Sequence, residues 1–484
     1  ISFLQDISAD LTGTVTLSKE VAQWFAGTAG AIAQLSQEMS QAELTPEQRL
    51  QSLVALGESA SQYRKSVYQQ GTFTGTVEQP YGDISHMLSN ALLAIDKSIT
   101  ANQRVDGLYN AYNLLELQPE SLKIDTLYPM LEGQVAALSS GTLSSEQAIN
   151  VIESLFNSDV YRPDQQTFML YPDRALPSFL EKNTITEQQV TAINALQAMH
   201  QANDFSLIVK DLDGTYRFNG EFVNANQLSA KLDELIAVYG EVLSTDKQAI
   251  LDLYESVFNH QEFTGRSGGM FGFEGLGCVY WHMVSKLLLA VQECYFSALE
   301  NNPENIVDTN KLGKLYYQVR EGIGFNKSPQ EYGAFPTDPY SHTPKHAGAQ
   351  QPGMTGQVKE EILTRFGELG IRVANGEVAF KPSLLKEQEF LTKKAEFRFL
   401  DIDNQWQTID VNAREIAFTW CQIPIVYQLT NQQSNNVTLS YLDGTQNDYS
   451  CLSINAEDSH KIFAKTGEIR QITVQVSSNS LFSC

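Results

Sequence analysis

Apolar positions recur at helical spacing over most of the first 370 residues and alternate with polar ones thereafter. Residues 18–40 and 46–69 read as two amphipathic helices. Thr45 as N-cap and Pro46 at the first helical position open the second. Further helices are predicted near 83–102, 125–138, 144–157, 186–203, 226–240, 246–260, 278–300, 309–321 and 355–367. The one at 144 begins Ser-Ser-Glu-Gln, a capping-box pattern. Between them, residues 206–219 form two short alternating runs around Asp213-Gly214, which predicts a β-hairpin. Asp211 and Asp213 could start a calcium loop, but the rest of that ligand series is missing. From Arg372 onward, runs such as AEFRFLDID and REIAFTWCQIPIVYQL alternate between turns and predict strands. The expected fold is mainly α with a C-terminal β domain. Helix pairs joined by alternating short and long loops suggest an (α/α) toroid of the six-hairpin kind over 1–355. A linker helix and an antiparallel β-sandwich or sheet domain over 356–484 would follow it.

Three stretches escape both periods. RVDGLYNAYN (Arg104–Asn113) is too polar and aromatic for a linker; Tyr161–Asn183 and Gly322–Met354 are long and proline-bearing. Loops of that length in a compact domain are usually functional. A fourth, Phe263–Gln292, opens with six glycines and then turns into a helix that is apolar nearly all round, which predicts a buried central helix. A polar, glycine-rich loop at a helix N-terminus suits an anionic or polyol ligand, because unpaired N–H groups and the positive end of the dipole point there.

If these loops gather at one mouth, it holds Arg104, Tyr109, Tyr112, Asn113, Arg162, Gln165, Phe273, Trp281, Asp338 and Tyr340 as substrate-binding candidates. Aromatic faces, amides and charged groups together are what sugar recognition needs. A general acid for a glycosidic oxygen is a carboxyl; Glu274 is the first choice, with Asp164 and Asp106 behind it. Two stretches could cradle phosphate: Arg266-Ser267-Gly268-Gly269, and Gln350 to Gly356 with Gln351 and Thr355, with His342 completing the set. For each tyrosine core packing is the competing account, and for each Arg/Asp pair a loop-stapling ion pair is. His342 and His346 are four apart, but Pro344 between them argues against a helical metal pair, so no metal and no cofactor are expected.

A 42% hydrophobic content supports a sizeable core. The net charge of −24 argues against nucleic acid and against anionic membrane surfaces as partners. Five cysteines without a CxxC pair suit thiols in a reducing compartment, and no apolar run reaches a membrane span, so a cytoplasmic location is expected. The chain starts at Ile1 rather than Met, so a piece of a longer protein with a lost leader belongs among the expectations.

The runs FTGRSGGMFGFEGLGCVYWHMVSKLLLAVQE, AFPTDPYSHTPKHAGAQQPGMTGQVKEEILTRFGELG and LYPDRALPSFLEKN resemble the C-terminal half of large bacterial cellobiose-phosphorylase-like proteins. The resemblance covers most of the chain. It implies an (α/α)-toroid catalytic domain followed by a β domain, and an inverting glycoside phosphorylase or hydrolase acting on a di- or oligosaccharide. It also implies inorganic phosphate as co-substrate and an N-terminal half of the same protein as partner. The N-terminal β-sandwich and the tryptophan-aspartate motif of the well-studied phosphorylases have no counterpart here. Two other classes stay open: a polysaccharide lyase using Tyr340 with His342 or Arg266, and a non-catalytic carbohydrate-binding half.

Overall fold

A computed structural model describes residues 1–8, 11–172, 177–258, 279–323, 342–343, 357–431 and 436–483. They fall into two compact units, residues 1–172 with 278–484, and residues 173–277.

The first unit begins with α1 (Ser2–Ser8), β1 (Thr14–Ser18), α2 (Lys19–Gln41), α3 (Pro46–Gln70), β2 (Thr76–Pro80) and α4 (Tyr81–Ala101). Thr45 caps α3 and Pro46 opens it, as the sequence predicts, and Gln48 completes a capping box. A hairpin of β3 (Asn113–Leu117) and β4 (Leu122–Thr126) follows, then α5 (Leu131–Leu138) and α6 (Ser145–Phe156). The helix expected over 125–138 therefore starts six residues late, because Leu122–Thr126 pairs with β3 before the chain turns helical. A short hairpin of β5 (Tyr161–Arg162) and β6 (Thr167–Phe168) ends this segment.

The second unit holds α7 (Phe179–Lys182), α8 (Glu187–Thr191), α9 (Asn194–Gln201), β7 (Ile208–Lys210), β8 (Tyr216–Phe218) and α10 (Ala225–Phe258). The continuous helix expected over 186–203 is two short ones separated at Ile193. The two expected at 226–240 and 246–260 are one run, broken in its helical course at Gly240, where φ is +59°. This unit has its own core, in which Leu196, Met199, Leu207, Phe218, Leu232 and Tyr254 are buried. Its hairpin turn shows what Asp211 does. One carboxylate oxygen accepts the amides of Asp213 and Thr215 at 3.0 Å, and the other takes Arg217 Nε at 2.7 Å. Its oxygens are thus spent on the turn rather than left for a cation.

The chain re-enters the first unit through β9 (Val279–Tyr280), α11 (Trp281–Asn301), α12 (Ile306–Glu321), β10 (His342–Thr343) and α13 (Gln357–Leu369). Strands then dominate: β11 (Ile371–Ala374), β12 (Glu377–Phe380), β13 (Ala395–Leu400), β14 (Trp406–Val411), β15 (Glu415–Trp420), β16 (Ile423–Thr430), β17 (Asn436–Tyr441), β18 (Gln446–Tyr449), β19 (Ser453–Ile454), α14 (Ala456–Phe463) and β20 (Ile469–Ser477). A helical part followed by a sheet region is what the periodicity predicts. The antiparallel expectation needs one correction. In the five-stranded sheet β15-β16-β20-β17-β18, β16 and β20 run parallel, from Ile425↔Ile472 to Thr430↔Ser477. The long connection through β17, β18 and α14 brings the last strand back in that direction. Ile425, Tyr427, Leu439, Ile472 and Val474 form the core of this sheet together with Leu369 of α13 and Ile462 of α14.

The sheet region is joined to the helices by buried contacts. The Tyr295 hydroxyl donates to the Ser383 carbonyl at 3.1 Å, and that of Tyr317 donates to the Leu384 carbonyl. Gly313 lies under the Phe482 ring, where a Cβ would be 2.2 Å from ring carbon. The boundary expected at 355/356 lies outside the described residues. Among the described residues, no helix is long and apolar enough to cross a membrane.

The junction at Gly370 is exacting. It caps α13 with φ +75°, donates to the Phe366 carbonyl and accepts from Lys381 N at 2.7 Å. A Cβ there would lie 2.2 Å from the Lys381 carbonyl carbon. Gly370→Ala combines a left-handed φ with a backbone collision, and its expected cost is about 2–3 kcal/mol. Urea unfolding monitored by circular dichroism measures it; a change under ~0.5 kcal/mol would contradict this account.

Candidate active site

Helix α11 is the centre of the first unit. Val284, Leu287, Leu288, Ala290 and Val291 are all buried, and α5, α6, α12 and α13 pack around it. This is the central helix that its all-round apolar pattern predicts. The direction of its neighbours decides what gathers at its start. The Gln292 amide donates to the Thr364 carbonyl at 2.8 Å, and a Cβ on Gly367 would overlap the Gln292 side chain. Tyr316 of α12 reaches both Gln292 and Glu368, while Arg320 and Ile323 face Leu288, Glu361 and Ile362. Thus α11 and α13 run parallel, α12 runs against both, and the starts of α11 and α13 share one end with the finish of α12.

The irregular stretches come together at that end. A Cβ on Gly322, just past α12, would lie 3.0 Å from the Gln166 carbonyl oxygen and 3.2 Å from Thr167 Oγ1. Strand β6 lies against β9, and β9 pairs with β10, placing His342 opposite Tyr280 and Thr343 opposite Val279. Residues 166–168, 279–280, 322 and 342–343 therefore meet beside the start of α11 and the finish of α12.

Several polar groups are buried there. On the β5–β6 hairpin Arg162, Gln165 and Thr167 are buried, above a cluster of the Phe156, Tyr161 and Phe168 rings. Arg162 pairs with Asp164 through Nη2–Oδ2 at 2.7 Å and Nε–Oδ1 at 3.2 Å. The Asp164 side chain is 59% exposed, so this pair sets the arginine rather than hiding the acid. Two turns towards the N-terminus from the Gln292/Gly367 contact, the same faces of α11 and α13 carry Ser285 and Glu360. Thr167 Oγ1, Ser285 Oγ and Glu360 Oε2 are buried without a hydrogen-bond partner. Each such atom left unpaired costs about 1–3 kcal/mol, so in natural proteins it is met by an ordered water, an ion or a ligand, or serves a catalytic role.

On the opposite face of α11 is a cavity of about 790 Å³. Its walls are Ile32 and Leu35 of α2, the C-terminal half of α4, the 109–112 segment, the length of α5, and Met283 and Lys286 of α11. The lining is mostly apolar with a few polar groups, the usual make-up of a small-molecule site. The Tyr112 hydroxyl donates to Glu132 at 2.5 Å. Tyr109 is held at its backbone by Gln134, whose side chain accepts the Tyr109 amide at 2.7 Å and donates to the Tyr109 carbonyl at 2.8 Å. Burial pushes the Tyr109 phenol above its usual range. Asn113 Nδ2 donates to Asn102 Oδ1 at 3.0 Å. Arg104 clasps Asp106 at 3.0–3.2 Å and reaches Asn110 Oδ1 at 3.1 Å. Partial burial pushes the Asp106 carboxyl up, but the Arg104 guanidinium and the Leu108 amide outweigh it and hold it below the usual carboxylate range.

Arg104, Asp106, Tyr109, Tyr112 and Asn113 thus belong to one segment beside the cavity, and Arg162, Asp164 and Gln165 to the hairpin. Helix α6 lies between them: Gly107 sits over Ser154 and Asn150, while Phe156 packs on Tyr161. Glu132 and Lys286 were not among the residues expected from sequence. Lys286 is the one lysine or arginine on α11, set in its mostly apolar first half, which was the available signal; Glu132 sits in an ordinary acidic first turn and offers none. Glu274, Arg266, Ser267, Phe273, Asp338, Tyr340, Gln351 and Thr355 lie outside the described residues, and Trp281 and His342 are described by their backbone. Among the described residues, no group of three or more His, Cys, Asp or Glu side chains could hold a metal ion.

A comparison with curated proteins gave no match. Residues 176–261, nearly the whole of the second compact unit, match the family model of GH149 phosphorylase insertion domain 2. The chain leaves the first unit after the β5–β6 hairpin and returns at β9, as an inserted domain does, and the match supports a glycoside phosphorylase-like family for this protein.

Proposed function

We propose that the chain carries the catalytic part of an inverting glycoside phosphorylase acting on a di- or oligosaccharide, built as a cellobiose-phosphorylase-like (α/α) toroid over 1–355 with a β-sandwich or sheet domain over 356–484. It would work in the cytoplasm, with an N-terminal half of the same protein as partner. The observation that carries this reading is the insertion. A segment resembling a phosphorylase insertion domain departs from and returns to two adjacent strands, β6 and β9, at the end of α11 where buried polar groups collect.

In this reading Tyr109, Tyr112, Arg104 and Asn113 bind one part of the oligosaccharide on the cavity side of α6. Arg162, Gln165, Phe273, Trp281, Asp338 and Tyr340 bind the part that reacts, at the start of α11. Glu274 protonates the glycosidic oxygen as the anomeric C–O bond breaks. A phosphate oxygen forms the new bond from the opposite face, giving an inverted sugar 1-phosphate. Arg266, Ser267, His342, Gln351 and Thr355 hold the phosphate; an arginine fork and glycine-lined backbone amides suit that anion. Asp106, ionised against Arg104, fits positioning better than acid catalysis.

Incubation of the protein with β- and α-linked gluco-oligosaccharides, with and without inorganic phosphate, tests the proposal. Sugar 1-phosphate release that requires phosphate, and falls at least tenfold in Arg266→Ala, is expected. Equal release of free sugar in phosphate-free buffer would make it a hydrolase. An unsaturated product absorbing in the ultraviolet would make it a lyase.

A further inference from the structure

A second groove, unrelated to the end of α11, runs between α2 and α3 and encloses about 570 Å³. Its floor is made by small residues: Gly27 approaches Ser59 so closely that a Cβ there would lie 2.6 Å from Ser59 Oγ. Above this floor the Trp24 and Tyr63 rings stack with centroids 5.1 Å apart and planes 22° from parallel. Trp24 is 41% exposed, a large aromatic surface left in water. Glu20 lines the same groove and is 94% buried, being only 6% exposed. Its Oε1 accepts the Thr74 amide at 2.9 Å and the Thr74 hydroxyl at 2.5 Å. Its Oε2 is buried and has no hydrogen-bond partner.

The remaining lining adds a second carboxylate, Glu58, and the amides of Gln23 and Gln62, and no lysine or arginine. The nearest cation in sequence, Lys19, extends along Gly75 with Cε 3.4 Å from where a Cβ would be, and is not part of the lining. Every strong feature of the groove is therefore electron-rich. A buried carboxylate oxygen lacks a donor, a second carboxylate lies on the rim, and a stacked π pair lies between. The ligand that satisfies all three is a cation with N–H donors and an aliphatic body.

We propose that the α2–α3 groove is a binding site for an organic ammonium ligand, with Glu20 Oε2 accepting from the ammonium and Trp24 and Tyr63 packing on its aliphatic carbons. The site is independent of the glycosidic reaction and stands or falls without it. It is tested with the intact chain and 1,5-diaminopentane as probe, by isothermal calorimetry and by the intrinsic tryptophan fluorescence, at two salt concentrations. Saturable binding is expected that weakens with salt. Affinity should drop at least tenfold in Glu20→Gln, which keeps the Thr74 contacts through its amide oxygen, and in Trp24→Ala. Thermal melts confirm that both variants fold; a double variant of the exposed Lys231–Glu234 pair, far from the groove in sequence, keeps full affinity. Absence of saturable binding would overturn the proposal, as would equal affinity in both groove variants. So would a neutral oligosaccharide that changes the Trp24 fluorescence where the diamine does not.

Discussion

Replacing Glu368 by alanine is expected to lower folding stability by about 3–5 kcal/mol, the largest effect of any single surface-distant charge described above. The Glu368 side chain is 1% exposed and holds two guanidinium groups, Arg320 Nη1 at 2.9 Å and Arg365 Nη1 at 2.7 Å. It also accepts the Tyr316 hydroxyl at 2.6 Å. Burial and the neighbouring carboxylate push the Tyr316 phenol well above its usual range, so it stays a donor. Arg365 continues to Glu389 at 2.7 Å, which ties α12, α13 and the start of the sheet region into one network. Deleting the shared carboxylate takes the buried partner away from Arg320 and Arg365 together and leaves the buried Tyr316 hydroxyl without its acceptor, and losing one member of a buried ionic network costs far more than losing a surface pair. The contrast is Glu234→Ala, which removes an exposed i,i+3 partner of Lys231 and is expected to change stability by less than ~0.5 kcal/mol. Urea unfolding of both variants measures the difference. Equal losses would mean that the network contributes no more than a surface pair does.

Glu274→Gln is expected to reduce kcat for phosphorolysis by about 10²–10⁴, the range a positioned general acid supplies. Because that acid serves only to protonate the leaving oxygen, a substrate with an activated leaving group, such as a nitrophenyl glycoside, should recover most of the loss. Asp106→Asn should behave differently. An ionised carboxylate clasped by Arg104 has no proton to give, so its loss should raise KM more than it lowers kcat, with no rescue by the activated substrate. Steady-state rates on both substrates decide the matter. If Glu274→Gln keeps wild-type turnover while Asp164→Asn abolishes it, the acid is Asp164.

Much of the local structure is legible in the sequence. The N-cap at Thr45 and the capping box at Ser144 start their helices where they were expected, because those signals are satisfied by backbone groups within four residues. The Asp211–Gly214 turn is of the same kind: the aspartate, the glycine and the amides they serve are neighbours in the chain. The apolar residues nearly all round the first half of α11 announced a buried helix, since Val, Leu and Ala on every side but that of Lys286 leave little face for water. Less legible were Asn113–Leu117 and Leu122–Thr126, where the short strands carry exposed Leu115, Leu117 and Ile124 that look no different from helix residues.

What the sequence by itself determined was the course of most of the long helices, the 206–219 hairpin, the C-terminal run of strands, the central helix and the identity of the polar stretches that interrupt them. These follow from periods of two and 3.6 and from turn chemistry, which act over a few residues. What only the tertiary structure decided was which stretches meet. The parallel course of α11 and α13 depends on Gln292 fitting over Gly367 and on Tyr316 reaching Glu368. The pairing of β9 with β10 depends on two segments some sixty residues apart. The parallel β16–β20 pair, the Glu368 network and the unsatisfied oxygen of Glu20 are likewise products of long-range packing. Such contacts depend on loop closure and burial, which no local window of the chain encodes.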